Sequence, residues 1–223
     1  MTDYREINKK YEEEGVRFID PSQVYIDGNV KIGKGTVIYP CVVIEGDVTI
    51  GEDCLIGQNS RIVDSTIADG VEIQSSHILE SSIGERTKVG PFAYLRPNSH
   101  VGAECKVGDF VEVKNSTMGD GSKASHLSYI GDSDVGKGVN IGCGVVFVNY
   151  DGKNKHRSTV GDGSFIGCNA NLVSPINVGE GSYVAAGSTV TGDVESGALY
   201  VARSRGKTLS GWVKRRGLLD KKK

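Results

Sequence analysis

The chain predicts an all-β fold, a three-sided parallel β-helix of about ten coils with a short helix before it and a basic tail behind it. Three observations carry that prediction. Aliphatic residues recur every six positions, glycine often follows them directly, and glycine is abundant, at 31 of 223 residues against 5 prolines. A six-residue period fits neither the 3.6-residue turn of a helix nor the alternation of a half-buried strand. It fits a triangular solenoid, where each unit is a short flat strand and a corner, the aliphatic side chain points inward, and three units close a coil of about eighteen residues.

Ahead of the repeats, Asp3 to Glu14 is charged and free of glycine and proline, which predicts a helix ending at Gly15, with Pro21 before the first coil. Residues 1–20 therefore form a linker helix. The six-residue step then runs through Ile26, Ile32, Ile38, Ile44, Ile50, Ile56 and Ile62, resumes at Val89, Leu95, Val101, Val107 and Val113, and returns at Val160, Ile166, Leu172, Val178, Val184 and Val190. It slips by one around Ile67, Ile73, Ile78 and Ile83 and at Met118 and Val135, which predicts shortened or bulged corners. At a strand spacing of about 4.8 Å the stack is a prism roughly 45–50 Å long. The β-helix domain is thus expected over residues 21–198, and residues 199–223 form a tail that contains Trp212.

Composition excludes several classes. No basic-then-apolar leader precedes the repeats, and no apolar run reaches the roughly 18 residues of a membrane span, so a cytoplasmic protein is expected. The five cysteines lack any CxxC pair and read as free thiols. From Arg203 onward there are nine Lys or Arg against Asp220 alone, which leaves 17 bases and 27 acids in the body. An acidic body behind a basic tail argues against nucleic acid as a partner.

The spacing from Phe147 to Val160 is thirteen where six is expected, so a loop insertion leaves the prism over residues 148–158, from Asn149-Tyr150-Asp151-Gly152 to Lys155-His156-Arg157. A stiff frame that extrudes one loop rich in amide, phenol and cationic groups is placing binding chemistry. His126, about one coil before Gly144, stacks near the root of that loop and could take a proton from an attacking amine, with Glu112 to orient its ring. The histidines His77, His100, His126 and His156 include no closely spaced pair, so no metal site is expected.

Four strings carry a resemblance: Gly108-Asp109-Phe110-Val111-Glu112-Val113-Lys114, His126-Leu127-Ser128-Tyr129-Ile130-Gly131-Asp132, Val139-Asn140-Ile141-Gly142, and Asn149-Tyr150-Asp151-Gly152-Lys153-Asn154-Lys155. They resemble the acetyltransferase half of the bacterial bifunctional UDP-N-acetylglucosamine pyrophosphorylase / glucosamine-1-phosphate N-acetyltransferase family, over about Gly15 to Trp212. The resemblance implies a left-handed β-helix, a homotrimer, acetyl-CoA as cosubstrate, and attack by the amine of glucosamine 1-phosphate, an amino-sugar phosphate, on the thioester. It implies His126 as general base and Glu112 as the carboxylate that steadies it. It places Arg96 and Lys114 on the phosphate, Tyr129 and Asn140 on the sugar, and Lys155 in the site of a neighbouring subunit. For acetyl-CoA it implies Asn149 and Tyr150 on the loop, then Cys143, Cys168, Ala186 and Arg203.

Two positions depart from the family's pattern, which usually has a small residue such as alanine at Cys143 and serine at Cys168. Both tighten the donor half and leave acetyl as donor less secure than the reaction class. No counterpart of the family's nucleotidyltransferase domain stands before Glu14, so pyrophosphorylase activity is not expected of this chain alone, and a separate nucleotidyltransferase could be a partner. Two alternatives stay open: transfer to another sugar phosphate or nucleotide sugar, and a trimer that binds ligands without turnover.

Overall fold

The computed structural model describes residues 4–218. Met1 to Asp3 of the expected linker helix and the last five residues of the expected tail lie outside the described residues. The chain is a left-handed parallel β-helix whose three flat faces are parallel sheets of 11, 10 and 9 short strands. Up to the last pair, Tyr183–Val184 with Leu199–Tyr200, a strand pairs with the one three further along the chain, so successive strands step from face to face. Most are two or three residues long, one side chain out and the next in, as in Tyr25–Ile26, Thr49–Ile50 and Lys88–Val89.

Every aliphatic residue of the six-residue series is buried, from Ile26 to Val190. Full burial of one such side chain is worth about 1.5–3 kcal/mol, and each face contributes one inward file to the interior, such as Ile26, Ile44 and Ile62 on the second face, with Phe147 the largest fully buried side chain among the described residues. The slips in period are five-residue steps, and each closes on one non-glycine residue in left-handed backbone: Asp64, Ser75, Glu80, Asn115 and Asp132, with φ between 43° and 49°. Asp and Asn tolerate that region better than most residues. The inward residues Ile67, Ile78, Ile83, Met118 and Val135 therefore stay buried, and the prism stays intact.

Corner hydroxyls tie one coil to the next. The Ser122 hydroxyl donates to the Gly136 carbonyl at 2.6 Å and accepts from the Val139 N–H at 2.9 Å, and Thr36 bridges Gly51 and Cys54 in the same way. These bonds satisfy backbone groups that turn away from the strand ladders.

At the N-terminal end, the helix Tyr4–Glu13 lies across the open prism. Tyr11 is buried and donates to the Val30 carbonyl at 2.5 Å, while the Asn8 amide donates to the carbonyls of Pro21 and Val24. Arg17–Phe18 already pairs with Val37–Ile38, and Leu199–Tyr200 still pairs with Tyr183–Val184. The prism thus takes in a few residues on either side of the expected 21–198. Among the described residues no helix is long and apolar enough to cross a membrane.

Candidate active site

The site begins with one corner file. Asp109 and His126 are paired one coil apart, and both side chains project outward at the edge between the first two faces. The register then places Cys143, Cys168 and Ala186 in the same file, because each stands two residues after a paired core position: Ala124 with Ile141, Ile141 with Ile166, and Ile166 with Val184. The residue one coil beyond His126 is therefore Cys143, while Gly144 lies one coil beyond Leu127, whose carbonyl it reaches at 3.1 Å. Three of the residues expected to hold acetyl-CoA, Cys143, Cys168 and Ala186, thus form a line that starts at His126.

His126 Nδ1 lies 2.6 Å from Asp109 Oδ1. The hydrogen bond to His126, aided by the imidazole's charge when protonated, outweighs the small cost of burial and holds the Asp109 carboxyl below the usual carboxylate range. An ionised carboxylate can only accept, so Nδ1 carries the hydrogen and Nε2 is the acceptor left facing outward. The expectation that Glu112 orients the ring is corrected here. Glu112 instead accepts from Arg96 Nη1 at 2.8 Å. Asp109 holds the ring because it occupies the same corner position as His126, whereas Glu112 sits around the corner on the second face, opposite Tyr129.

Around that corner lies a polar cluster centred on Asp132, which the residue pattern did not single out. Its carboxylate is buried and accepts from Lys114 Nζ at 3.1 and 3.2 Å, from Asn115 Nδ2 at 2.6 Å and from Asn149 Nδ2. Burial pushes the Asp132 carboxyl up, but the bonds from Asn115, Lys114 and Asn149 and the Lys114 charge outweigh it and hold the carboxyl low. The Asn149 amide also donates to the Tyr129 hydroxyl at 3.2 Å. Asn149, expected on acetyl-CoA, is buried with its amide nitrogen engaged by Asp132 and the Tyr129 hydroxyl. The Tyr129 ring lies against Gly131, where any Cβ would collide with it.

Lys155, expected in the site of a neighbouring subunit, has its neighbours within its own chain in the single protomer. Its ammonium stands beside Lys114 of the same chain, with Arg96 and Asp132 nearby, and the approach of Lys114 lowers its pKa. Two ammonium groups and a guanidinium that converge make a site for an anion, and only part of their charge is matched by Glu112 and Asp132.

The projecting loop, Asn149 to Arg157, is a miniature hairpin. Tyr150 and Lys155 are bridged antiparallel, the His156 N–H donates to the Asn149 carbonyl at 2.8 Å, and Asp151 accepts from the backbone of Lys153 and Asn154 and from His156 Nε2. The backbone bond from Asn154, then those from His156 and Lys153, hold the Asp151 carboxyl far down. Arg157 anchors the hairpin's far end on Asp134 and on the carbonyls of Asn115 and Ser133. Tyr150 is exposed and bonds the Gly152 carbonyl. Asn140 stands on the first face one coil beyond Lys123, and Arg203 is exposed in the tail.

A parallel β-helix of hexapeptide units with a hairpin at a file of polar groups defines a hexapeptide-repeat acyltransferase. The family model described as bacterial transferase hexapeptide (six repeats) matches residues 80–115 and 157–192, and that described as GMPPB C-terminal domain matches residues 21–96. Among solved structures, the chain is similar to the UDP-N-acetylglucosamine acyltransferase of Francisella novicida, with a TM-score of 0.56 and 18% identity over 88% of this chain and 72% of that one. The LpxA acyltransferase of Bacteroides fragilis gives a TM-score of 0.55 and 16% identity over 84% and 71%. Both likenesses concern the fold.

Curated relatives go further. The bifunctional protein GlmU of Alkaliphilus oremlandii is 61% identical over 97% of this chain and 48% of its own length, and that of Clostridium beijerinckii is 56% identical over 95% and 47%. The chain belongs to the GlmU family as its β-helix acyltransferase part, and it spans about half the length of the curated relatives it matches.

Proposed function

We propose that this chain is an acetyltransferase of amino-sugar metabolism that moves acetyl from acetyl-CoA to the amine of glucosamine 1-phosphate. The observation that carries the reading is the convergence of Arg96, Lys114 and Lys155 around one corner from an imidazole fixed by Asp109. The three cations hold the sugar's phosphate, and Tyr129 and Asn140 hold its hydroxyls. His126 Nε2 takes a proton from the amine as the nitrogen attacks the thioester carbon; the tetrahedral intermediate then collapses and CoA leaves as the thiol. Asp109 keeps Nε2 the basic nitrogen and stabilises the imidazolium that forms. The acetyl-CoA arm runs along the file from Cys143 through Cys168 to Ala186, and Arg203 meets its phosphates.

The working unit in this reading is a cytoplasmic homotrimer. The stacked rings of Phe92 and Phe110, 5.5 Å apart on an outer corner and both exposed in a single chain, support burial against another copy. A thiol-release assay with acetyl-CoA and glucosamine 1-phosphate tests the reaction. CoA released by the native chain and lost in His126→Ala supports it. Absence of release with glucosamine 1-phosphate, alongside release with another amino-sugar phosphate, would replace the acceptor.

A further inference from the structure

The corner file carries two thiols that acetyl transfer does not require. Cys143 and Cys168 hold the same position on successive coils, and the Asn169 N–H donates to the Cys143 carbonyl at 2.8 Å. Neighbouring parallel strands lie about 4.8 Å apart, inside the roughly 4.4–6.8 Å Cα separation of protein disulfides. Earlier in the file the same stacking brings Asp109 and His126 side chains to 2.6 Å. The coils also close tightly here, since a Cβ on Gly142 would come 2.6 Å from the Cys168 nitrogen.

Access separates this pair from the other cysteines. Cys168 is exposed and Cys143 is half-buried. Cys54 and Cys105 are buried, donate to the carbonyls of Ala68 and Gly119, and burial pushes their thiols up. Cys41 is exposed but lies on a corner several coils toward the N-terminal end.

We propose that Cys143 and Cys168 form a redox-active dithiol, a modification site for low-molecular-weight disulfides that closes into an intrachain disulfide. The Cys168 thiolate attacks one sulfur of the small disulfide, expels one thiol and leaves a mixed disulfide. The Cys143 thiolate then attacks the Cys168 sulfur and expels the second thiol. Two protein thiols are oxidised to one S–S bond, the reagent is reduced to two thiols, and the two protein protons end on them. The cross-link rests on the geometry alone; its effect on acetyl transfer rests on the donor groove assigned above, where a disulfide would replace two thiols along the path of the acetyl-CoA arm.

The test treats the purified 223-residue chain with oxidised glutathione and maps its peptides by mass spectrometry without reduction. The expected result is a Cys143–Cys168 cross-linked peptide, with acetyl transfer falling more than tenfold and returning on addition of dithiothreitol. Cys41→Ser forms the same cross-link, and Cys168→Ser forms none. A mixed disulfide that persists on Cys168 with Cys143 still free, oxidation confined to Cys41, or no loss of thiols would each overturn the proposal. The wild-type peptide map decides even if Cys168→Ser does not fold. Reduced protein without acetyl transfer would overturn the acetyltransferase reading and leave the cross-link to be judged by the map.

Discussion

Asp109 and His126 face each other at 2.6 Å from equivalent positions on adjacent coils, and that pairing decides which imidazole nitrogen is free. A carboxylate held low in pKa fixes the hydrogen on Nδ1 and leaves Nε2 to accept a proton. Replacing Asp109 with Asn keeps the shape of the side chain but lets the ring adopt the other tautomer. Asp109→Asn should therefore lower kcat by roughly 10²-fold, within the range of general-base contributions, while the KM for either substrate changes little. Steady-state kinetics with both substrates varied check this, and an unchanged kcat would remove the imidazole from proton transfer.

Glu112 should behave differently. It is bonded to Arg96, and Glu112→Gln weakens the hold on that guanidinium without touching the ring. The expected outcome is a several-fold change in KM for the sugar phosphate at nearly constant kcat. A fall in kcat equal to that of Asp109→Asn would mean that Glu112 turns to the imidazole when substrate binds.

Asp132 holds the second face to the root of the loop, and its loss takes the carboxylate acceptor from the half-buried ammonium of Lys114 and the Asn115 amide and leaves the Asn149 amide only the Tyr129 hydroxyl. Asp132→Ala should destabilise the protein by about 3 kcal/mol in urea denaturation at pH 7, the low end for breaking a buried pair. The sign of the pH dependence follows from a depressed folded pKa. The carboxylate's contribution is fully present above its unfolded pKa of about 3.9 and is lost as pH falls through the lower folded value. The stability gap between wild type and Asp132→Asn should thus hold from pH 8 to 6 and shrink below about pH 4.

Asp151 supports the hairpin alone, since its partners Lys153, Asn154 and His156 all lie within the loop. Asp151→Ala should leave the melting temperature within about 2 °C of wild type, because the bonds lost are exposed and outside the prism. Amide hydrogen exchange over residues 150–156 should accelerate at the same time, and the KM for acetyl-CoA should rise. Unaltered exchange in that segment would show that Arg157 and the strand ends suffice to hold the loop.

How much of this could be read beforehand follows from the spacing of the coils. The aliphatic file from Ile26 to Val190 was legible because inward positions tolerate little besides aliphatic residues, so the six-residue period survives even where corners shorten. The partner of His126 was not, because Asp109 lies 17 residues away where a regular coil would count eighteen. The missing residue is absorbed at the tight corner of Asn115, and a second shortened corner at Asp132 puts Cys143, not Gly144, beside the imidazole. The Asp132 cluster escaped for a related reason: its ligands come from the two coils that flank its own, Lys114 and Asn115 from the one before and Asn149 from the one after, and only the completed register brings them to one carboxylate.

The position of Lys155 makes the sharpest prediction about assembly. The ammonium of Lys155 lies beside Lys114 of its own chain; in the proposed trimer this predicts three phosphate sites whose cations come from single chains. Coexpressed Lys155→Ala and His126→Ala chains should then form mixed trimers with no more activity than the average of the two parents, because every site carries one defect or the other. If a neighbour's Lys155 completed the site, a His126 from the first chain could meet a Lys155 from the second, and mixed trimers would regain a substantial share of wild-type turnover. Differently tagged chains purified in tandem, with composition checked by native mass spectrometry, separate the two outcomes. Restored activity would mean that the loop swings from its own Lys114 to the adjacent chain on assembly.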